Sequence, residues 1–572
     1  MRTTFLALNL LVLIALFGGA CAPAGPSTRP GVDANTSQPG TPQKVLQIIN
    51  RGEPPSLAAK PLAQGIGAIS AAPARFFNAM LDVTDVREIG HPQLAEALPQ
   101  LNTDTWRLNP DGTMQTRYRL KPNLTWHDGT PLHAEDFAFA HRVYKTPELG
   151  VATTPPIAQM EEVLAPDART VVINWNRPFV DAGQLGPDFQ ALPRHILEEN
   201  YRRTDGGAFV NHPFWTTAYV GLGPYRVDRW EPGAFLAATA FDNYVLGRPR
   251  IDQISIRFIN DAQTAMANVL AGEIHYVMAL NFSTDQAVTL EQEFAKSGAG
   301  RVLYSATQRR LGFFQMRPEY QSPSALSNVN IRYAVAHGLD HKSRVDVVDA
   351  GKGAVAHAFT HFGVPWYAAV DRVVLKHDFD PRAAEALMTQ NGWAKGQDGL
   401  FVNAAGERFT MEVEASAGGK NEQEATLYAA SLRQTGFDAI QKTTPVAAAT
   451  DSEYRSTRPG LSLRGAGSEF QIYIDSGIPG PENRWRGNNR AGWSNAEYNR
   501  LFAQLERTFP ENERVALTAQ IERIISVDRA LTMNTWESEV WSVASDLLGI
   551  EPMGSPDAGG PETGVHLWQW RT

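Results

Sequence analysis

From residue 114 to 121 apolar and polar positions alternate without a break. Met114, Thr116, Tyr118 and Leu120 occupy one phase, and Gln115, Arg117, Arg119 and Lys121 the other. A period of two predicts a half-buried strand, and Asp-Gly turns at 111–112 and 128–129 bound it. Near residue 45 the pattern differs: Val45, Leu46, Ile48 and Ile49, interrupted by Gln47 alone, read as a buried strand ending at Pro54-Pro55. The segment AEDFAFAHRVY, residues 134–144, reads as a helix. Further helices carry end signals. Asp261 caps AQTAMANVLA, which stops at Gly272 before the strand-like EIHYVMAL. Asp380 caps a helix with Pro381 at its first position and Asn391-Gly392 at its end. Ser494 and Glu497 are spaced as a capping box ahead of Tyr498, Leu501, Phe502 and Leu505, which share one helical face. Strands and helices mix in irregular order with no repeat of 20 to 50 residues, so the body is predicted to be α/β or α+β and multidomain.

The first residues follow another logic. A charged start, Met1-Arg2, precedes the apolar run FLALNLLVLIALF at 5–17, which is too short to span a bilayer as a stable helix. Gly18, Gly19 and Ala20 lead to Cys21, the single cysteine of the chain. Residues 1–20 therefore read as a signal peptide, and the junction resembles a bacterial lipoprotein signal, in which the cysteine is lipidated. Gly18 stands where that pattern usually has Leu. Residues 22–42 are dense in Pro, Gly, Ser and Thr and lack apolar periodicity, so residues 21–42 are expected to be an anchor site and a disordered leash.

Composition narrows the function. Apolar residues make up 43% and charged residues 20%, as in an ordinary globular body, and the net charge of -9 argues against a nucleic-acid partner. After the leader no apolar run reaches the ~18 residues of a membrane span. Catalytic spacings are missing: there is no G-x-S-x-G, no H-E-x-x-H and no EF-hand loop. GKGAVA at 351–356 follows a helical stretch, so it reads as a helix end rather than a dinucleotide loop. AGGKN around Lys420 lacks the first glycine and the Ser/Thr of a phosphate loop. His357 and His361 have no third ligand at a recognisable spacing, and Asp128 beside His127 reads as turn chemistry. No catalytic residue, metal site or cofactor is expected. Loop-like segments rich in aromatics, HPFWTTAY at 212–219 and RWRGNNRAGW at 484–493, suit a ligand cleft.

Four segments taken in order resemble one family. YRLKPNLTWHDGTPLHAEDFAFAHR is similar to the signature of the family 5 extracellular solute-binding proteins, the peptide-binding components of ATP-binding-cassette importers. The stretch from VGLGPYRVDRW to NVLAGEI, then NVNIRYAVAHGLDHKSRV, and then FDPRAAEALMTQNGW resemble further blocks of it. His133 replaces the usual Thr, and His275 the usual Asp. Peptide binders of the family place an aspartate, often as Asp-Pro, in a loop of the C-terminal lobe; here SEFQIYIDSGIPGPENRW supplies Asp475 without the proline.

The resemblance implies a two-lobed, periplasmic-binding-protein-like α/β fold of type II with an extra subdomain, three subdomains in all. Lobe I would combine 43–75, 216–305 and 541–572, the extra subdomain would be 76–215, and lobe II 306–540. It implies a small solute, an oligopeptide first, captured between lobes and delivered to a membrane permease by a lipid-anchored, exported monomer. An oligosaccharide or metal chelate is the alternative cargo; a secreted hydrolase or an anchored sensory protein would be a different class. The ligand-contacting residues expected are Glu53 from the first lobe, facing Asp475, Trp485, Arg486 and Trp493 from the third subdomain.

Overall fold

The computed structural model describes residues 44–58, 68–149, 155–203, 206–445, 448, 451–466, 470–485 and 487–572. Cys21, the leader and the leash lie outside them. Residues 44–572 form one compact unit.

Among the described residues one mixed sheet of 11 strands runs through that unit, ten of them in a single path and the eleventh, Ala354–Val355, paired with Leu531–Ala544 off it. Its spine is a pair of long antiparallel strands, Gly300–Phe314 and Leu531–Ala544. On the side of Gly300 and Ala544 the sheet continues through Tyr276–Val277, Leu46–Asn50, Gln253–Phe258, Phe235–Ala240 and Tyr225–Glu231. On the side of Phe314 and Leu531 it continues through Leu461–Ala466, Thr410–Ser416 and Asp438–Thr444. Each long strand thus serves two bodies, one at either end. The ladder slips between Ala306 and Gln308 and again between Arg310 and Leu311. Bulges bend a strand and sharpen its twist, so the middle of the spine is where the sheet turns from one body to the other.

Leu46–Asn50 is paired on both sides by parallel neighbours, which explains why apolar residues do not simply alternate along it: Leu46, Ile48 and Ile49 are fully buried. The 76–215 region builds a separate antiparallel sheet in the order Trp106–Leu108, Met114–Arg119, Thr170–Trp175, Met160–Asp167. Met114, Thr116, Tyr118 and Leu120 face its core, as the alternation predicts. Helix Ala134–Tyr144 covers that sheet. Gly221 and Gly223 carry the chain past Phe77: a Cβ on Gly223 would lie 2.2 Å from the Phe77 carbonyl carbon.

The predicted helix ends hold with one correction. Asp261 accepts from Thr264 N at 2.7 Å, and Asp380 from Ala383 N at 3.0 Å. The helix Ala496–Leu505 is capped by Asn495, which accepts from Tyr498 N at 2.9 Å, and not by Ser494. The Ser494 hydroxyl donates to Asp475 instead. Of the strand-like EIHYVMAL, Tyr276–Val277 alone joins the sheet. Gly351 follows helix His341–Val348 at φ +73, a helix end as read.

Candidate ligand cleft

Two cavities lie along the junction of the bodies. The larger, about 1280 Å³, opens between the 76–215 region, through residues such as Glu88, Phe179 and Asp188, and the C-terminal body, through Phe470, Phe502 and Arg514. The smaller, about 380 Å³, sits against the bulged middle of the spine and is lined by Gln308, Arg309, Glu539 and Trp541. Arg75 and Glu562 close it from the first body, and Asp557 borders both cavities.

The smaller cavity is built from charges that the two long strands carry inward. Glu539 accepts from Thr307 Oγ1 at 3.1 Å and Gln308 Nε2 at 2.9 Å. Burial pushes its carboxyl up, the two hydrogen bonds oppose this, and Glu562 adds to the rise. Glu562 is buried and accepts from the Tyr276 hydroxyl at 2.7 Å, with Arg75 Nη1 3.6 Å away. The Arg309 guanidinium donates from Nε to Phe359 O at 2.8 Å, lies 4.9 Å above the Trp536 ring and stands 3.8 Å from Asp557. Acids, bases and an aromatic wall around one polar space can orient a ligand bearing both signs of charge. Among the described residues no group of three His, Cys, Asp or Glu side chains could hold a metal ion.

His127 is fixed as a neutral ring: Nε2 meets Gly223 O at 3.0 Å while Nδ1 accepts from Gly221 N at 3.2 Å. It clamps the passage between bodies, and Asp128 beside it bonds Thr130 N and His195.

None of Glu53, Asp475, Trp485 and Trp493 lines either cavity. Glu53 is exposed, and its two oxygens accept from Trp230 Nε1 at 2.7 Å and Gly233 N at 2.8 Å within the first body. Asp475 is exposed in the turn Asp475–Gly477. Trp485 is half-buried, with its ring 6.3 Å from Tyr320 and 6.0 Å from the Arg317 guanidinium. Arg486 lies outside the described residues. Trp493 is corrected to a core residue: it is 3% exposed, packs on Tyr498 and donates from Nε1 to Asp528 at 3.0 Å. Trp215 of the other aromatic segment is also core, with Nε1 bonded to Phe209 O.

Sequence reading missed Arg309, Glu539, Asp557 and Glu562. The first two had a usable signal. Arg309-Arg310 interrupts the apolar phase of a strand, and Glu539 sits in WESEVW between tryptophans, so both charges were destined for an interior surface.

A single sheet bent between two bodies, with polar cavities at the bend, defines a two-lobed ligand-binding protein. The model of the bacterial extracellular solute-binding proteins, family 5 Middle, matches residues 96–471, and the chain belongs to this family. Over 300 residues it is 25% identical to a Brucella ovis protein named for ABC-transporter peptide binding, covering 51% of each chain, so the match spans about half the length of that relative. The oligopeptide-binding protein AppA of Bacillus subtilis is 21% identical over 565 residues, 96% of each chain. In structure, the oligopeptide-binding protein of Thermus thermophilus, solved with a pentapeptide, superposes with a TM-score of 0.69 at 21% identity, covering 92% of this chain and 96% of that one. The fold is the type II periplasmic-binding-protein fold with an extra subdomain.

Proposed function

We propose that this protein is the substrate-binding component of an ATP-binding-cassette importer, which captures a small solute between its lobes and hands it to a membrane permease. The bulged two-strand spine beside a charged cavity carries this reading. It lets two rigid bodies pivot about residues near 306 and 540, and a ligand that touches both bodies only in the closed form shifts the population towards closure. In this reading lobe I is 43–75, 216–305 and 541–572, the extra subdomain 76–215 and lobe II 306–540. The protein performs no covalent chemistry on its cargo. It acts as an exported monomer, tethered through a lipid on Cys21 and the leash that follows. Relatives named for oligopeptides make a peptide the first cargo to test, with Asp475 and Trp485 as contacts on the lobe II loop.

Native mass spectrometry of the purified protein identifies a carried ligand, and calorimetry then measures its binding. Arg309→Gln and Glu539→Gln should each weaken it by about ten- to a hundredfold, the worth of a desolvated charge-assisted hydrogen bond. Unchanged affinity in both variants would remove the spine cavity from the site; turnover of the ligand would overturn the transport reading.

A further inference from the structure

Four arginines gather where strand Leu461–Ala466 leaves the sheet: Arg464 on the strand, Arg455 and Arg458 at helix Ser452–Ser456 and its exit, and Arg490 on the loop after Trp485. Arg464 Nη2 donates to Asn488 O at 3.1 Å, and the same carbonyl accepts from Arg490 N at 2.9 Å. The Arg464 guanidinium lies 5.1 Å from the Phe313 ring centre, on the face of the sheet that also carries Arg309. Arg317 fastens the two flanking segments together, donating to Ser456 O and, at 2.7 Å, to Pro479 O.

Counter-charge is scarce. Among the described residues Arg458 alone of the four forms an ion pair, with Glu414, while its Nε and Nη2 are buried without hydrogen-bond partners. Burial and the neighbouring Arg464, Arg455 and Arg458 pull Arg490 down to about 9. Half-buried like charges repel and forfeit hydration, so a cluster of this kind in a chain of net charge -9 calls for an anion brought from outside. Gly465, next to Arg464, lines the smaller cavity, so the cluster adjoins the cleft.

We propose that Arg455, Arg458, Arg464 and Arg490 form a subsite for a multiply anionic group of the transported solute, either clustered carboxylates or a phosphate. The assignment rests on the solute-binding reading and narrows its cargo. Guanidinium forks suit both chemistries, because each presents paired N–H donors to paired oxygens.

Titration calorimetry at low ionic strength with citrate and with pyrophosphate separates the two sources, and tetra-alanine serves as the neutral probe. One or both anions should bind wild type. Arg464→Gln and Arg490→Gln should each weaken that binding by about ten- to a hundredfold, Arg490→Lys should recover part of it, and tetra-alanine should change by less than about threefold. Neither anion binding while tetra-alanine or a carried neutral ligand does would overturn the subsite and leave the solute-binding reading standing. Anion binding unaffected in both glutamine variants would also overturn it. No probe binding and no carried ligand would remove both.

Discussion

Replacing Glu424 by Gln tests whether the spine is anchored by buried charge. Three cations, Arg310, Arg344 and Lys420, meet three carboxylates, Asp349, Glu424 and Glu537, beside the long strands. Arg310 stands on one long strand and Glu537 on the other, both in the stretch between the two register slips. Arg344 is 1% exposed and Glu424 fully buried, with Arg344 Nε 3.3 Å from Glu424 Oε1; Glu424 also binds Arg310. Glu537 receives Lys420 at 2.6 Å and Arg344 at 3.5 Å. Burial works against ionisation of Glu537, but Lys420, Arg310 and Arg344 outweigh it and hold its carboxyl below the usual range. Glu424→Gln leaves three cations against two carboxylates. Breaking a buried pair costs about 3–5 kcal/mol, and the amide still offers Arg310 an acceptor, so the lower end, about 3 kcal/mol, is expected. In a body of roughly 150–250 residues this lowers the midpoint by roughly 6–12 °C. Calorimetric melting at pH 7 reads it directly. The loss should persist in about 0.5 M salt, because a buried network is screened little. A change below about 1 kcal/mol, or one erased by salt, would refute the claim that the network is desolvated and structural.

Two further outcomes follow from the passage between the first two subdomains. Gly223→Ala places a methyl against the Phe77–Asn78 backbone, with 2.2 and 2.3 Å to main-chain atoms, so the soluble yield should collapse; near-normal expression and melting would show that this contact yields readily. His127, depressed to about 4 chiefly by burial, stays neutral in the folded state while the unfolded chain takes up a proton below about 6.5. Stability is therefore fully present above pH 6.5 and falls by about 2–3 kcal/mol as pH drops towards 4.5, and urea titrations should show that slope flattened in His127→Gln.

Features of the fold that depend on neighbouring residues were legible, and features assembled across the chain were not. Met114 to Leu120 could be read because a strand with one wet face alternates, and Leu46–Asn50 because a strand paired on both sides does not. Asp380 could be read because its cap reaches no further than Ala383. Ser494 misled because Asn495 beside it is equally able to cap, and what decided between them was Asp475, 19 residues away. Tryptophan content could not say which way a ring points: Trp485 remains half-exposed on a loop, whereas Trp493, eight positions on, fills the core. The cleft is the extreme case. Gln308 and Glu539 meet because two strands more than 200 residues apart in sequence pair in one register, and no local pattern encodes that register. What the sequence does carry is the anomaly such a site leaves behind. A polar or charged side chain in the buried phase of a strand costs free energy unless something meets it. Arg309 finds the Phe359 carbonyl and the Trp536 face, Glu539 finds Thr307 and Gln308, and Glu424 finds two arginines. Arg490 finds other arginines, and that asymmetry singles it out as the charge whose partner has to arrive with the ligand.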